Sequence, residues 1–303
     1  MTLAQLASFV RIVELGSFSR AAASLRIAQP ALSRQVRALE EELDARLLER
    51  HARGVTPTEA GETLFEHARL ILRGATDARS AVTALSAEPA GVVALGAPSS
   101  LATALLPVLA QRIQARYPRL RLHLIDGFSA TLHQWALSGR LDLAILYQDA
   151  AMGPLPNRPL LVEDLVAVGP AGHFAPNQAV TPTDLAGSPL VMPARPHRLR
   201  LLIEGWSPRC YARMEVDSLP ALLDLVRTGF GCTVLAYSTI HAAVTEGRLS
   251  YAPLAPKLTR TLVLARPPQR RPSAAQTAVE TEIIALVAEE ADRLRWSVLG
   301  PPP

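Results

Sequence analysis

A chain of 303 residues exceeds what one ordinary hydrophobic core supports, so two or more domains are expected. A hydrophobic share of 49% spread evenly along it excludes intrinsic disorder, and no apolar run approaches the ~18 residues of a membrane-spanning helix. The formal net charge of +4 selects no partner by itself, because residues 1–90 hold eleven arginines against eleven acidic residues. The opening stretch lacks a basic leader, and Arg11 and Glu14 interrupt its apolar residues. It therefore does not read as a signal peptide, and a cytoplasmic address is expected. The two cysteines, Cys210 and Cys232, cannot make a disulfide framework, in keeping with a reducing compartment.

In chain order, Leu3, Leu6, Val10 and Val13 fall at helical spacing up to Gly16, a natural stop. Ser17 opens a short second helix with Ala21, Ala22 and Leu25 at its apolar positions, and a third begins at Gln29 with Pro30 in its first turn. On the third, Leu32, Val36, Leu39 and Leu43 share a ~60° arc, while Pro30, Ser33, Arg34 and Arg37 take the other face. A solvated polar face is the simplest account of that periodicity alone. The helix–turn–helix spacing and the basic turn Arg50-His51-Ala52-Arg53-Gly54 shift the balance toward a helix that enters the major groove of DNA, with a wing on the phosphates. Glu40, Glu41, Glu42 and Asp44 confine any DNA contact to the first two turns.

Thr56-Pro57-Thr58-Glu59 reads as a capping box with proline at the first helical position. Beyond it Leu64, Ala68, Ile71, Ala75, Ala78, Val82 and Leu85 repeat with 4-3 spacing, a coiled-coil seam. A helix of about 45 Å cannot cover that stripe with three short helices, so a homodimer or homotetramer is expected. The expected domains are 1–58 for DNA binding, 59–88 as a linker and dimerisation helix, and 89–303 beyond Glu88-Pro89-Ala90-Gly91.

After Gly91 short aliphatic runs alternate with amphipathic stretches, which suggests βα units around a parallel sheet. Strands are expected at 92–97, 120–125, 141–147, 165–168, 190–192, 212–216, 232–235 and 260–265. Helices are expected at 101–116, 129–138, 219–228 and 274–295. Two similar lobes, about 89–160 with 266–303 and about 161–265, imply a cleft. Ser99 and Ser100, Phe128 and Ser129, and Asp217 with Ser218 follow strands at helix starts, where free N–H groups attract anions. Any one of these serines reads first as a plain helix cap. Three such termini together favour at least one facing an anion, with Arg195 and His197 as countercharges for a carboxylate.

Gly16-Ser-Phe-Ser-Arg-Ala-Ala-Ala-Ser-Leu25, Gln29-Pro-Ala-Leu-Ser-Arg-Gln-Val-Arg-Ala-Leu-Glu40, Leu47-Leu-Glu-Arg50 and Thr56-Pro-Thr-Glu-Ala-Gly61 resemble the signature of LysR-type transcriptional regulators without a gap. Ala28, Asp44 and Leu48 depart from it, standing where serine, glycine and phenylalanine are common. The resemblance implies a winged helix-turn-helix in which Gln29, Pro30, Ser33, Arg34 and Arg37 face promoter or operator DNA, with Arg50 and Arg53 on the wing. Leu105-Leu106-Pro107, Tyr117-Pro118, Gly139-Arg-Leu-Asp-Leu-Ala144 and Gly229-Phe-Gly231 are similar to the effector-binding domain of that family, a two-lobed α/β fold of the type 2 periplasmic-binding-protein kind. This implies that Ser99, Ser100, Thr103, Phe128, Ser129, Arg195 and Cys232 line a cleft for a small, anionic effector, and it makes RNA polymerase a further expected partner. The middle of the chain resembles regulators of nitrogen and sulfur assimilation.

Three rival readings are weaker. Metal, cofactor or catalytic chemistry lacks its motifs, since HExxH, CxxC, GxSxG, the P-loop and GxGxxG are all absent. A transport solute-binding protein would not carry the helix-turn-helix. Redox sensing through Cys210 and Cys232 competes with the simpler view that both are small buried hydrophobes.

Overall fold

The computed structural model describes residues 1–51, 54–83, 88–148, 153, 155–175, 178–268 and 272–299. By contacts the chain falls into two units, Met1–Ala87 with Ser138–Arg140, and the remainder.

In the first unit, α1 (Leu3–Leu15) is opened by a capping box between Thr2 and Gln5 and closed by Gly16 at φ 60°. Ser17 accepts from Arg20 N at the start of α2 (Phe18–Leu25). α3 (Gln29–Leu43) starts at the expected residue, and Ala28 at its N-cap supplies no side-chain bond. Phe9, Ile12, Leu32, Leu39 and Leu47 are almost fully buried and weld the three helices together. β1 (Leu48–His51) and β2 (Gly54–Pro57) form an antiparallel wing, followed by α4 (Glu59–Thr83). The expected cap at Thr56 is displaced by two residues. Pairing of Leu48 with Pro57 keeps that stretch extended, and Thr58 Oγ1 instead accepts from Gly61 N at 3.0 Å.

The second unit alternates β3 (Gly91–Pro98), α5 (Ser99–Arg116), β4 (Leu120–Gly127), α6 (Ser129–Leu137) and β5 (Leu143–Tyr147). β6 (Asn157–Pro170), α7 (Pro182–Ala186), β7 (Leu190–Met192), α8 (Arg198–Trp206), β8 (Ala212–Glu215) and α9 (Leu219–Arg227) come next. β9 (Thr233–Ala236), α10 (Tyr237–Thr245), β10 (Leu249–Ala265), α11 (Ala274–Leu294) and β11 (Trp296–Val298) complete it. β3 lies parallel to β4 and β5, but β10 is antiparallel to β5 and to β6 over most of its length. The expected parallel sheet is therefore mixed.

The two long strands produce the lobes. Leu160, Leu161, Leu262 and Leu264 belong to a core with α5 and α11. Farther along the same strands, Leu165–Val168, Leu249 and Ala252 belong to a second core that includes α8 and α9 residues. The sequence marks only 165–168 of β6 and 260–265 of β10 as strand, because Pro159, Glu163 and Asp164 in β6 and Pro253, Pro256 and Lys257 in β10 look like breaks. It also missed α7, α8 and α10, each under ten residues long.

Candidate nucleic-acid interface and ligand cleft

The polar face expected on α3 is presented as such: Gln29, Pro30, Arg34 and Arg37 are exposed and Ser33 is half-buried. Arg34 and Arg37 make no hydrogen bond or ion pair with a described residue, so both guanidinium groups remain available to phosphate or guanine. Gln29 is partly held, its Oε1 accepting from Ser19 Oγ at 3.2 Å. Arg50 is exposed on the wing, with its guanidinium carbon 4.4 Å from the centroid of the Phe18 ring. Phe18 is a residue the sequence reading passed over; an aromatic directly after the Ser17 cap was its only signal. Val55 N donates to Gly16 O at 3.1 Å, docking the wing on the α1–α2 turn. A Cβ at Gly54, whose φ is 137°, would stand 2.7 Å from that same carbonyl, so only glycine allows this approach. Arg53 lies outside the described residues.

The heptad stripe is divided in its use. Ala68 is fully buried in the helix-turn-helix core and Leu64 packs against it, because the early turns of α4 lie on α1. Those two residues have little surface left for a partner chain, which shortens the expected seam. Ile71 is 41% exposed, Ala75 is half-buried and Ala78 is exposed. The side chain of Val82, and Leu85 altogether, lie outside the described residues.

In the second unit two adjoining cavities, enclosing about 650 and 530 Å3 open to solvent, lie between the lobes. Phe128 and Ser129 at the start of α6 line both from one lobe, and His197 and Asp217 from the other, while Ser99 and Ser100 at the start of α5 line the smaller. α5 has Pro98 at its N-cap and no side-chain capping bond, so its first turn keeps unspent N–H groups. Ser129 Oγ accepts from Tyr147 N at 3.3 Å, which fixes the α6 terminus to the end of β5.

Beneath the cleft sits an ion pair that the sequence did not reveal. Arg260 and Glu163 are register partners on β10 and β6 at the point where the strands pass from one core to the other. They are 9% and 1% exposed, with Arg260 Nε donating to Glu163 Oε1 at 2.5 Å. Ser238 Oγ donates to Glu163 Oε2 at 3.0 Å, and Arg260 Nη2 donates to Ser100 Oγ at 3.0 Å. The guanidinium carbon also lies 4.1 Å from the Tyr147 ring centroid, and Tyr147 OH shares a 2.5 Å hydrogen bond with Ser100 Oγ. Burial pushes the Tyr147 hydroxyl up to about 12, against the opposing effect of Arg260, so the phenol stays neutral. Arg260 Nη1 has no hydrogen-bond partner among the described residues, and Arg260 lines the smaller of the two cavities. An arginine at the head of an aliphatic strand was the sequence signal available for this site.

Of the expected cleft residues, Arg195 and His197 line the cavities but are already engaged, and Thr103 and Cys232 need correction. Arg195 stands at the rim, where Nε and Nη2 donate to Glu204 at 3.1 and 2.8 Å, a carboxylate that Arg200 Nε also engages. His197 lines both cavities but is not a countercharge. Its Nδ1 accepts from Leu199 N at 3.2 Å to cap α8, and burial, with Arg260 adding, holds the imidazole below its ordinary range. It is a neutral ring offering Nε2–H. Thr103 is exposed on α5 and lines neither cavity. Cys232 is 4% exposed in the second core, with Sγ 3.3 Å from His173 Nε2. It stands away from the cavities because it closes a β-bridge to Leu190 at the lobe's centre. Burial raises both Cys232 and Cys210, reducing the thiolate that an oxidant would attack.

Residues 3–62 match the bacterial regulatory helix-turn-helix of the lysR family, and residues 86–284 match the LysR substrate binding domain. The chain is 38% identical over 247 residues to the nitrogen assimilation regulatory protein nac of Klebsiella aerogenes, covering 80% of each chain. It is 32% identical over 308 residues to the protein of that name in Escherichia coli, covering 99% of this chain and 100% of the other. In fold it is similar to a full-length OxyR variant from Pseudomonas aeruginosa, at a TM-score of 0.74, 24% identity and 99% coverage of both chains. No helix among the described residues is long and apolar enough to cross a membrane. The chain thus belongs to the LysR family of DNA-binding transcriptional regulators, with an effector-binding domain following its helix-turn-helix.

Proposed function

We propose that this regulator acts in the cytoplasm as a homodimer or dimer of dimers on an inverted repeat in promoter DNA, and that a small metabolite carrying a carboxylate controls it from the interlobe cleft. The observation that carries the ligand reading is that Arg260, the uncapped start of α5 and the Ser129 end of α6 line one cavity between the lobes. Fixed donors of this kind, set beside apolar and aromatic walls, are what orient a small anion.

The exposed Ile71 and Ala78 on α4 support self-association, which two DNA half-sites about one helical turn apart require. Ligand in the cleft biases the lobes, and through them the spacing of the paired DNA-binding units and their approach to RNA polymerase. Redox control has less support, because burial raises both thiols.

The test is a nuclease footprint over the DNA upstream of the gene, repeated with a panel of metabolites. A protected inverted repeat whose borders move with one metabolite supports the reading. A footprint indifferent to every metabolite, or one made by a monomer, contradicts it.

A further inference from the structure

We infer that the cleft takes a zwitterion: a small metabolite carrying a primary ammonium group as well as a carboxylate, such as an α-amino acid. This rests on the cleft reading above and narrows its ligand class. The two sides of the cleft differ in their chemistry. The lobe of α5 and α6 offers donors, from the serines at the helix starts and from Arg260 Nη1. The other lobe adds, beside the donors of Arg195 and His197, a carboxylate acceptor, Asp217, which lines both cavities.

Asp217 Oδ1 accepts from Ala194 N at 3.0 Å, which holds the carboxylate in place, and no ion pair neutralises it among the described residues. Of the arginines nearby, Arg260 is matched by Glu163, Arg195 shares Glu204 with Arg200, and Arg198 carries interactions of its own. His197 registers both ends of the cleft. After burial, the largest effect, Arg260 lowers the imidazole and Asp217 raises it. A ligand with only carboxylates would leave the Asp217 acceptor unused and place like charge beside it. An ammonium group there meets an oriented acceptor, while the ligand's own carboxylate meets the helix starts and Arg260.

The experiment is calorimetric titration of the full-length protein with the standard L-amino acids and, in parallel, with monocarboxylic and dicarboxylic acids that lack an amine. Each amino acid that binds is repeated as its N-acetyl derivative. We expect at least one amino acid to bind, and N-acetylation to weaken it about ten- to hundredfold, as for a lost hydrogen bond to a charged group. Asp217→Asn keeps an acceptor for Ala194 N and is expected to weaken the amino acid by a similar factor without weakening its N-acetyl form. If amine-free acids bind and no amino acid does, or if Asp217→Asn leaves the amino acid's affinity unchanged, the zwitterion assignment is overturned and the cleft reading stands. If neither set binds at millimolar concentration, both fall.

Discussion

Replacing Glu163 by glutamine isolates the energetics of the crossover. The amide preserves the shape of the side chain and an acceptor for Ser238, but removes the negative charge beside Arg260. Side-chain exposures of 2% for Glu163 and 7% for Arg260 place the pair where water screens little. Leaving one member of a buried pair uncompensated costs about 3–5 kcal/mol. At about 2–4 °C per kcal/mol for a unit of this size, the midpoint of thermal unfolding should fall by roughly 6–20 °C. Tryptophan fluorescence reads this unit selectively, because Trp135, Trp206 and Trp296 all lie in it. Removing both charges in Glu163→Gln/Arg260→Met should recover most of the loss, since apolar replacements of buried pairs are often neutral or stabilising. A loss below about 1 kcal/mol in the single variant would refute the reasoning, showing Arg260 to be solvated as exposed pairs are.

Arg34→Ala should weaken specific DNA binding by about 1–3 kcal/mol if the guanidinium reads a base. Lys257→Ala, which removes only a surface pair with Asp164 at 2.9 Å in the second unit, should leave binding intact; equal losses by fluorescence anisotropy would discredit the α3 face. Ile71→Asp should shift sedimentation toward monomer, whereas Ala68→Leu should overpack the first core and cost it about 1–3 kcal/mol. Intact assembly in Ile71→Asp would exclude the exposed stripe of α4 from the interface. For pH, His197 binds its proton more weakly folded than unfolded. Its contribution is therefore complete above the ordinary histidine value of about 6.5 and is lost as pH falls through it. In urea titrations between pH 7 and 5, His197→Gln should lose less stability than the parent, and parallel profiles would contradict that assignment.

What the sequence disclosed was mostly local. Gly16, Ser17 and the stripe Leu32–Val36–Leu39 act within a turn or two, so the helix-turn-helix and its exposed arginines were readable one residue at a time. The wing was readable from Arg50 and Gly54, though not its docking through Phe18 and the Gly16 carbonyl, which depends on residues far apart in the chain. The same limit explains the cleft. Glu163 and Arg260 are separated by 97 positions, and each alone resembles a surface charge interrupting a strand. Only the pairing of β6 with β10 turns them into a buried couple at the junction of the lobes. Resemblance to the family suggested Thr103 and Cys232 for the cleft because it transfers positions without their packing; here one is exposed and the other lies in a core.

The central claim is that occupancy of the interlobe cleft alters DNA binding. It is tested most directly by anisotropy of promoter DNA with and without the bound metabolite, in the parent and in Ala130→Trp, which fills the cleft from the exposed start of α6. The account predicts that the metabolite shifts the parent's binding curve and leaves that of Ala130→Trp unmoved. A variant that no longer binds the metabolite yet still shifts its curve as the parent does would place the controlling site elsewhere.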